Sequence, residues 1–150
     1  MRTREEPIGL SVTRSARTLS RAFDASLAER GGSLATWAVL VSLAGDGIHR
    51  SQRSIAAAAG IEGPTLTHHL HRMETAGLVR RTRDPNDRRA QSVALTPEGR
   101  DAFVGMLEVV RDFDRRLRAD LSDSEVDTLR SLLTRLVANA GEPAHEGSET

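Results

Sequence analysis

The chain has 150 residues, 38% of them hydrophobic and 28% charged, and its 21 basic residues balance 21 acidic ones. That length supports one domain with a modest core, and no run of about 18 apolar residues is present to span a membrane. There is no cysteine, which excludes disulfides, cysteine-based zinc sites and thiol redox sensing.

The N-terminal stretch Met1-Arg2-Thr3-Arg4-Glu5-Glu6 lacks the apolar segment of a secretory leader, so a cytoplasmic protein is expected. The neutral total hides a segregated charge. Between Arg50 and Arg100 there are nine arginines against five acids, an excess of four that the flanks balance with acid. Every basic residue is arginine, whose planar guanidinium suits phosphate and groove contacts.

In chain order, Ile8, Val12, Ala16, Leu19, Phe23 and Leu27 recur at helical spacing, predicting a first amphipathic helix that Gly31-Gly32 ends. Ser33 is placed to cap a second helix from Leu34 to about Ala44, with Leu34, Trp37, Val41 and either Leu40 or Leu43 toward a core. Asp46-Gly47 is a turn. Ser51 caps a short helix to Ala59, whose alanine run permits close approach by a neighbour, and Gly60 suits a left-handed terminus. The next helix runs from Pro64 to Ala76, with Pro64 at the first helical position.

On that helix Leu66, Leu70 and Met73 form one stripe to bury. At about 100° per residue, Pro64, His68, His71 and Thr75 point nearly opposite, Thr65 and Arg72 flank the exposed side, and His69 lies at the boundary. Residues 78–83 and 90–95 read as two strands, the second placing Gln91, Val93 and Leu95 on one side. They are joined by the long tip Asp84-Pro85-Asn86-Asp87-Arg88-Arg89. Helix, turn, helix and a basic two-stranded wing make a winged helix-turn-helix.

Thr96-Pro97 opens a further long helix with Phe103, Leu107, Val110, Phe113 or Asp114, and Leu117 in a near-heptad stripe. Ser122-Asp123-Ser124-Glu125 is a capping box, with Leu121 and Val126 placed as a hydrophobic staple. The last helix carries Leu129, Leu132, Leu133, Leu136 and Val137 and ends near Gly141, ahead of an acidic tail over 142–150 expected to be disordered.

The run Gly63-Pro64-Thr65-Leu66-Thr67, Arg72-Met73-Glu74, Gly77-Leu78-Val79-Arg80-Arg81, Asp87-Arg88-Arg89 and Leu95-Thr96-Pro97-Glu98-Gly99 resembles the MarR family of bacterial transcription regulators. The likeness extends over roughly residues 8–140. It implies a mainly α-helical fold with a small β-hairpin wing in a single domain over 1–150. Residues 8–30 and 97–140 would be dimerisation helices, and 34–95 the winged helix-turn-helix. The resemblance further implies a homodimer that places residues 64–76 in the major groove and the wing in the adjacent minor groove, with Asp87 orienting Arg89. Whether Arg88 or Arg89 goes deeper is left open. The organic-peroxide sensors of the family use a cysteine near the start of the chain, and this chain has none.

The residues expected to meet double-stranded DNA are Arg53, Pro64, Thr65, His68, His71, Arg72, Arg81, Arg83, Asp87, Arg88 and Arg89. Arginines neutralise phosphates, Arg72 and the histidines can donate to base edges, and a wing arginine gains from a narrow minor groove. His68 and His71 are an i, i+3 pair that could share a metal, but they occupy the face needed for DNA, and no metal or cofactor is expected. By the resemblance a small aromatic or phenolic effector is a possible partner, with Trp37 a candidate contact that core packing explains as well. Paired carboxylates, a nucleophile elbow and a phosphate loop are all absent, so no enzyme activity is expected. The function expected is therefore a ligand-responsive, homodimeric repressor at an inverted repeat. The alternative is a winged-helix protein-interaction module without DNA binding.

Overall fold

A computed structural model of the chain describes residues 6–45, 50–83 and 91–141. The chain divides into two compact units, residues 1–113 and 114–150.

In the first unit, α1 (Ile8–Ala28) ends in a Schellman turn: the Gly32 amide donates to the Leu27 carbonyl and Gly31, at φ 71°, donates to Ala28. Asp24 on α1 accepts a 2.7 Å bond from the Leu34 amide, and Ser33 accepts one from Thr36, so the start of α2 (Leu34–Leu43) is satisfied from both sides. Of the residues expected on the core face of α2, Leu40 and Leu43 are buried and Leu34 and Trp37 half-buried, while Val41 is 48% exposed. Val39 is buried instead. This helix is apolar nearly all round, so its periodicity could not choose the inward face.

Strand β1 (Arg50–Ser51) runs into α3 (Gln52–Ala59), capped by Ser51 through the Ser54 amide. Gly60 closes α3 in the left-handed region at φ 64°, and α4 (Gly63–Thr75) follows. Gly63, not Pro64, takes the first helical position, and proline's missing N–H is equally harmless one residue later within the first turn. Strands β2 (Val79–Arg83) and β3 (Gln91–Leu95) pair antiparallel, with Arg81 opposite Val93. Arg50 and Ser51 pair with Val93 and Ser92, so the expected hairpin is a three-stranded sheet in the order β1-β3-β2. Two residues are too short a run to show strand alternation, so the sequence pattern there shows only the Ser51 cap. On β3, Ala94 is buried along with Val93 and Leu95, so this strand departs from simple alternation.

The core of this unit gathers Leu27, Leu40, Leu43, Ile55, Leu66, Leu70 and Val93, each at most 1% exposed. Burying a side chain of this kind contributes about 1.5–3 kcal/mol. Helix α5 (Pro97–Leu117) adds Met106, and two ring pairs join it to earlier helices: Trp37 stacks on Phe103 at 5.4 Å, and Phe23 on Phe113 at 4.9 Å.

In the second unit, Arg118 after the end of α5 reaches Asp114 at 3.6 Å and Asp123 at 2.7 Å. Helix α6 (Asp123–Gly141) opens with the expected capping box: the Ser122 amide donates to Glu125, and the Glu125 amide donates back to the Ser122 hydroxyl. Those bonds hold the Glu125 carboxyl below its usual range. Val126 is buried and Leu121 is 43% exposed. Along α6, Leu129, Leu132, Leu133, Leu136 and Val137 are between 36% and 74% exposed, an apolar row left open by this chain.

Candidate nucleic-acid interface

The α4 helix presents two faces. Leu66 and Leu70 are fully buried and Met73 is 4% exposed, so this stripe anchors the helix. Pro64, Thr65, His68, His71, Arg72 and Thr75 are exposed, and His69 is half-buried at the margin, as the helical angles predicted. Among the described residues, the Thr65, His68 and Arg72 side chains make no hydrogen bond or ion pair. They are donors held on a helix, with no partner among the described residues.

Three local devices fix the pose of that helix. Gln52 at the start of α3 donates to the Thr67 hydroxyl, which itself donates to the Gly63 carbonyl at 3.0 Å. At the far end Gly77, at φ 74°, donates to Glu74 and Leu78 donates to Met73, a Schellman turn that sends the chain straight into β2. The Thr96 hydroxyl donates to the Gly77 carbonyl at 2.5 Å and accepts from the Gly99 amide at 3.0 Å, joining this turn to the start of α5. A Cβ on Gly99 would lie 1.9 Å from the Leu78 carbonyl oxygen, so the close backbone approach admits glycine alone. The Thr-Pro-Glu-Gly run thus has a mechanical purpose: it seats the base of the wing on α5.

Basic side chains surround the exposed face of α4. Arg53 on α3 and Arg80 and Arg83 on β2 are exposed. Arg81 is different. Its Nε and Nη2 donate to Glu74 Oε2 at 2.9 and 2.6 Å, its amide donates to Oε1 at 3.2 Å, and its side chain is 20% exposed. The Arg81 guanidinium holds the Glu74 carboxyl below the usual carboxylate range. Sequence reasoning did not find this pair, because seven residues and a left-handed turn separate its members. Asp87, Arg88 and Arg89 lie outside the described residues. Trp37, considered as an effector contact, is half-buried against Phe103.

Two open clefts lie behind α4 in the same unit. One, of about 300 Å³, is lined by Ser33, Thr36, His69, Arg72, Met73 and Leu78, among others. The second, of about 440 Å³, shares Ser33 and His69 and extends along Asp24, Ala38 and Ile61. Trp37 lines neither. Among the described residues no three His, Asp or Glu side chains converge on a metal position, and no helix is long and apolar enough to cross a membrane.

Comparison with known proteins bears on this face. Residues 33–90 match the sequence profile of the MarR family, a span that includes α2, the helix-turn-helix and the first wing strand, β2, and ends just before β3. A putative transcriptional regulatory protein for the hcr operon of Thauera aromatica is 34% identical over 86 residues, which cover 57% of this chain and 52% of that protein. The chain thus spans about half the length of that curated relative. A probable transcriptional regulator from Pseudomonas aeruginosa, of known crystal structure, is 30% identical at a TM-score of 0.77, over 88% of this chain and 98% of that one. The transcriptional repressor CouR, solved bound to a 23-mer DNA duplex, is 29% identical at a TM-score of 0.80, over 87% of this chain and 92% of that one. The shared helix order, the exposed polar face of α4 and the seated wing converge with these matches: the chain belongs to the MarR family of winged-helix, DNA-binding transcription regulators.

Proposed function

We propose that this chain is a cytoplasmic, homodimeric repressor that reads an inverted-repeat operator and releases it when a small aromatic or phenolic ligand binds. The observation that carries the reading is the α4 face, where Thr65, His68, His71 and Arg72 stand exposed opposite a fully buried stripe. Arg72 can donate to guanine O6 and N7, the histidines to purine acceptors, and Pro64 and Thr65 lie at the end that enters a groove first. Arg53, Arg80 and Arg83 neutralise phosphates on either side. We assign Asp87, Arg88 and Arg89 to the minor groove, where an arginine gains from the negative potential of A·T-rich DNA.

The second copy covers the apolar residues this chain leaves open: Leu129, Leu132, Leu133, Leu136 and Val137 on α6, and Ile8, Leu10 and Leu19 on α1. A two-fold dimer presents two α4 helices to half-sites about one helical turn apart. The 23-mer duplex bound by CouR is long enough for two such half-sites. His69 and Arg72 belong both to α4 and to the cleft behind it, so a ligand there acts directly on the reading helix. To empty an occupied operator the ligand must favour the non-binding state by about 5.5 kcal/mol.

The test is a gel shift on the DNA upstream of the chain's own gene, with a scrambled duplex as control, repeated across a panel of aromatic acids and phenols. Specific retardation that one compound abolishes is expected. Equal affinity for both duplexes refutes the reading and favours a protein-interaction module.

A further inference from the structure

Arg81 stands in the middle of β2, within a run of arginines that are natural phosphate ligands, yet its side chain is already committed. All three of its contacts go to Glu74, near the C-terminal end of α4: two guanidinium bonds to one carboxylate oxygen and one amide bond to the other. Arg80 and Arg83, on the same strand, are exposed. Arg81 is also opposite Val93 of β3, whose side chain is fully buried in the core, so the strand cannot shift at this position without disturbing the sheet.

We propose that the Glu74–Arg81 pair is a positioning device that sets the angle between the reading helix and the first wing strand, and that Arg81 makes no phosphate contact. The inference builds on the DNA-binding function proposed above. A charge-assisted, two-pronged bond between a planar guanidinium and a carboxylate constrains orientation as well as distance. Only the Schellman turn at Gly77 lies between the helix and the strand, so a bond across it closes a small rigid triangle of helix, turn and strand. A dimer with two reading helices and two wings loses affinity when that angle relaxes, because all four elements must reach their grooves together.

Two substitutions separate this from an ordinary phosphate contact, because they predict opposite signs. Glu74→Gln removes a negative charge beside DNA. If Arg81 served phosphate, freeing it would strengthen binding. As a positioning pair, Glu74→Gln weakens specific binding by about fivefold or more, Arg81→Gln does the same, and the double variant is no worse than either single one. The slope of log affinity against log salt stays at its wild-type value in Arg81→Gln, whereas Arg80→Gln and Arg83→Gln each reduce it by about 0.9 per subunit. Arg81→Lys keeps the charge but not the fork, and does not restore affinity.

The experiment is fluorescence anisotropy of the full chain on a duplex enriched from a random pool, at four salt concentrations, with melting temperatures recorded for each variant. A tighter Glu74→Gln complex, or a slope reduced by Arg81→Gln, overturns the proposal. Should the wild-type chain bind no duplex, the function reading fails by itself. The pair is then decided in the free protein: Glu74→Gln is expected to abolish the protected Arg81 Nε–H resonance, and an unchanged resonance overturns it.

Discussion

Replacing Leu129 and Leu136 of α6 together by glutamate tests the proposed dimer. The two lie seven residues apart on one stripe, and they are 49% and 36% exposed in the single chain. Substitution at such positions costs the isolated fold little. Fully burying a leucine contributes about 1.5–3 kcal/mol, so covering the open part of each contributes about 1 kcal/mol. Two sites in two copies therefore remove about 4 kcal/mol from association, close to a thousandfold in Kd. Burying four carboxylates would cost several kcal/mol more for each. A cost of association of at least about 4 kcal/mol has to be met by the remaining apolar rows, so the variant is expected to be monomeric at micromolar concentration. Sedimentation velocity measures this directly, since one chain is 16.3 kDa and a dimer twice that. Loss of specific DNA binding should accompany the loss of the dimer. A variant that sediments like the wild-type dimer, or a wild type that sediments as one chain, refutes the assignment of this face.

Gly99→Ala forces a Cβ into the Leu78 carbonyl at 1.9 Å, and neither backbone can yield cheaply. It should destabilise by about 2 kcal/mol or more and lower Tm by several degrees. Gly105→Ala, on the same helix as Gly99, places a Cβ that would meet only the Arg30 Nη1 at 3.9 Å and should instead stabilise by up to about 1 kcal/mol. Equal melting temperatures for the two variants would contradict the close-approach account. Because the folded-state pKa of Glu74 is depressed, its contribution to stability is present above the ordinary glutamate value near about 4.3 and is lost as pH falls through the folded value. The melting difference between wild type and Glu74→Gln should thus hold from neutral pH to mildly acidic pH and shrink below that range; a difference that persists in acid removes the pair as its cause. Finally, Arg89→Ala combined with His68→Ala should abolish sequence-specific binding while circular dichroism stays native, and unchanged specific binding would discard the assignment of those two residues.

Much of this molecule was legible because local chemistry and tertiary packing agree in it. The stripe Leu66, Leu70, Met73 is apolar at the helical period and polar everywhere else, so one angle count separated the anchored face of α4 from the open one. The capping box at Ser122 and the left-handed glycine at 60 are local signals that need no knowledge of the fold. The failures have equally physical sources. Helix α2 is apolar on every side, so its pattern does not distinguish the exposed Val41 from the buried Val39. The two-residue strand β1 exists only through its pairing with β3, some forty residues later. The Glu74–Arg81 bond depends on how a turn folds the chain back, which no periodicity encodes. An arginine run looks uniform in sequence, and only side-chain partners show which of its members is already engaged. Leu129, Leu132, Leu133 and Leu136 are apolar at the helical period, but that period alone does not distinguish a stripe facing its own core from one facing another copy.

In the proposed function the α4 face and wing read DNA as a symmetric pair. Selection of duplexes from a random pool by the purified chain, followed by affinity measurement from 50 to about 200 mM salt, tests it most directly. An enriched inverted repeat with half-sites about 10 base pairs apart is expected, with specific affinity that falls steeply as salt rises. A pool that returns no common sequence, or binding indifferent to salt, would contradict it.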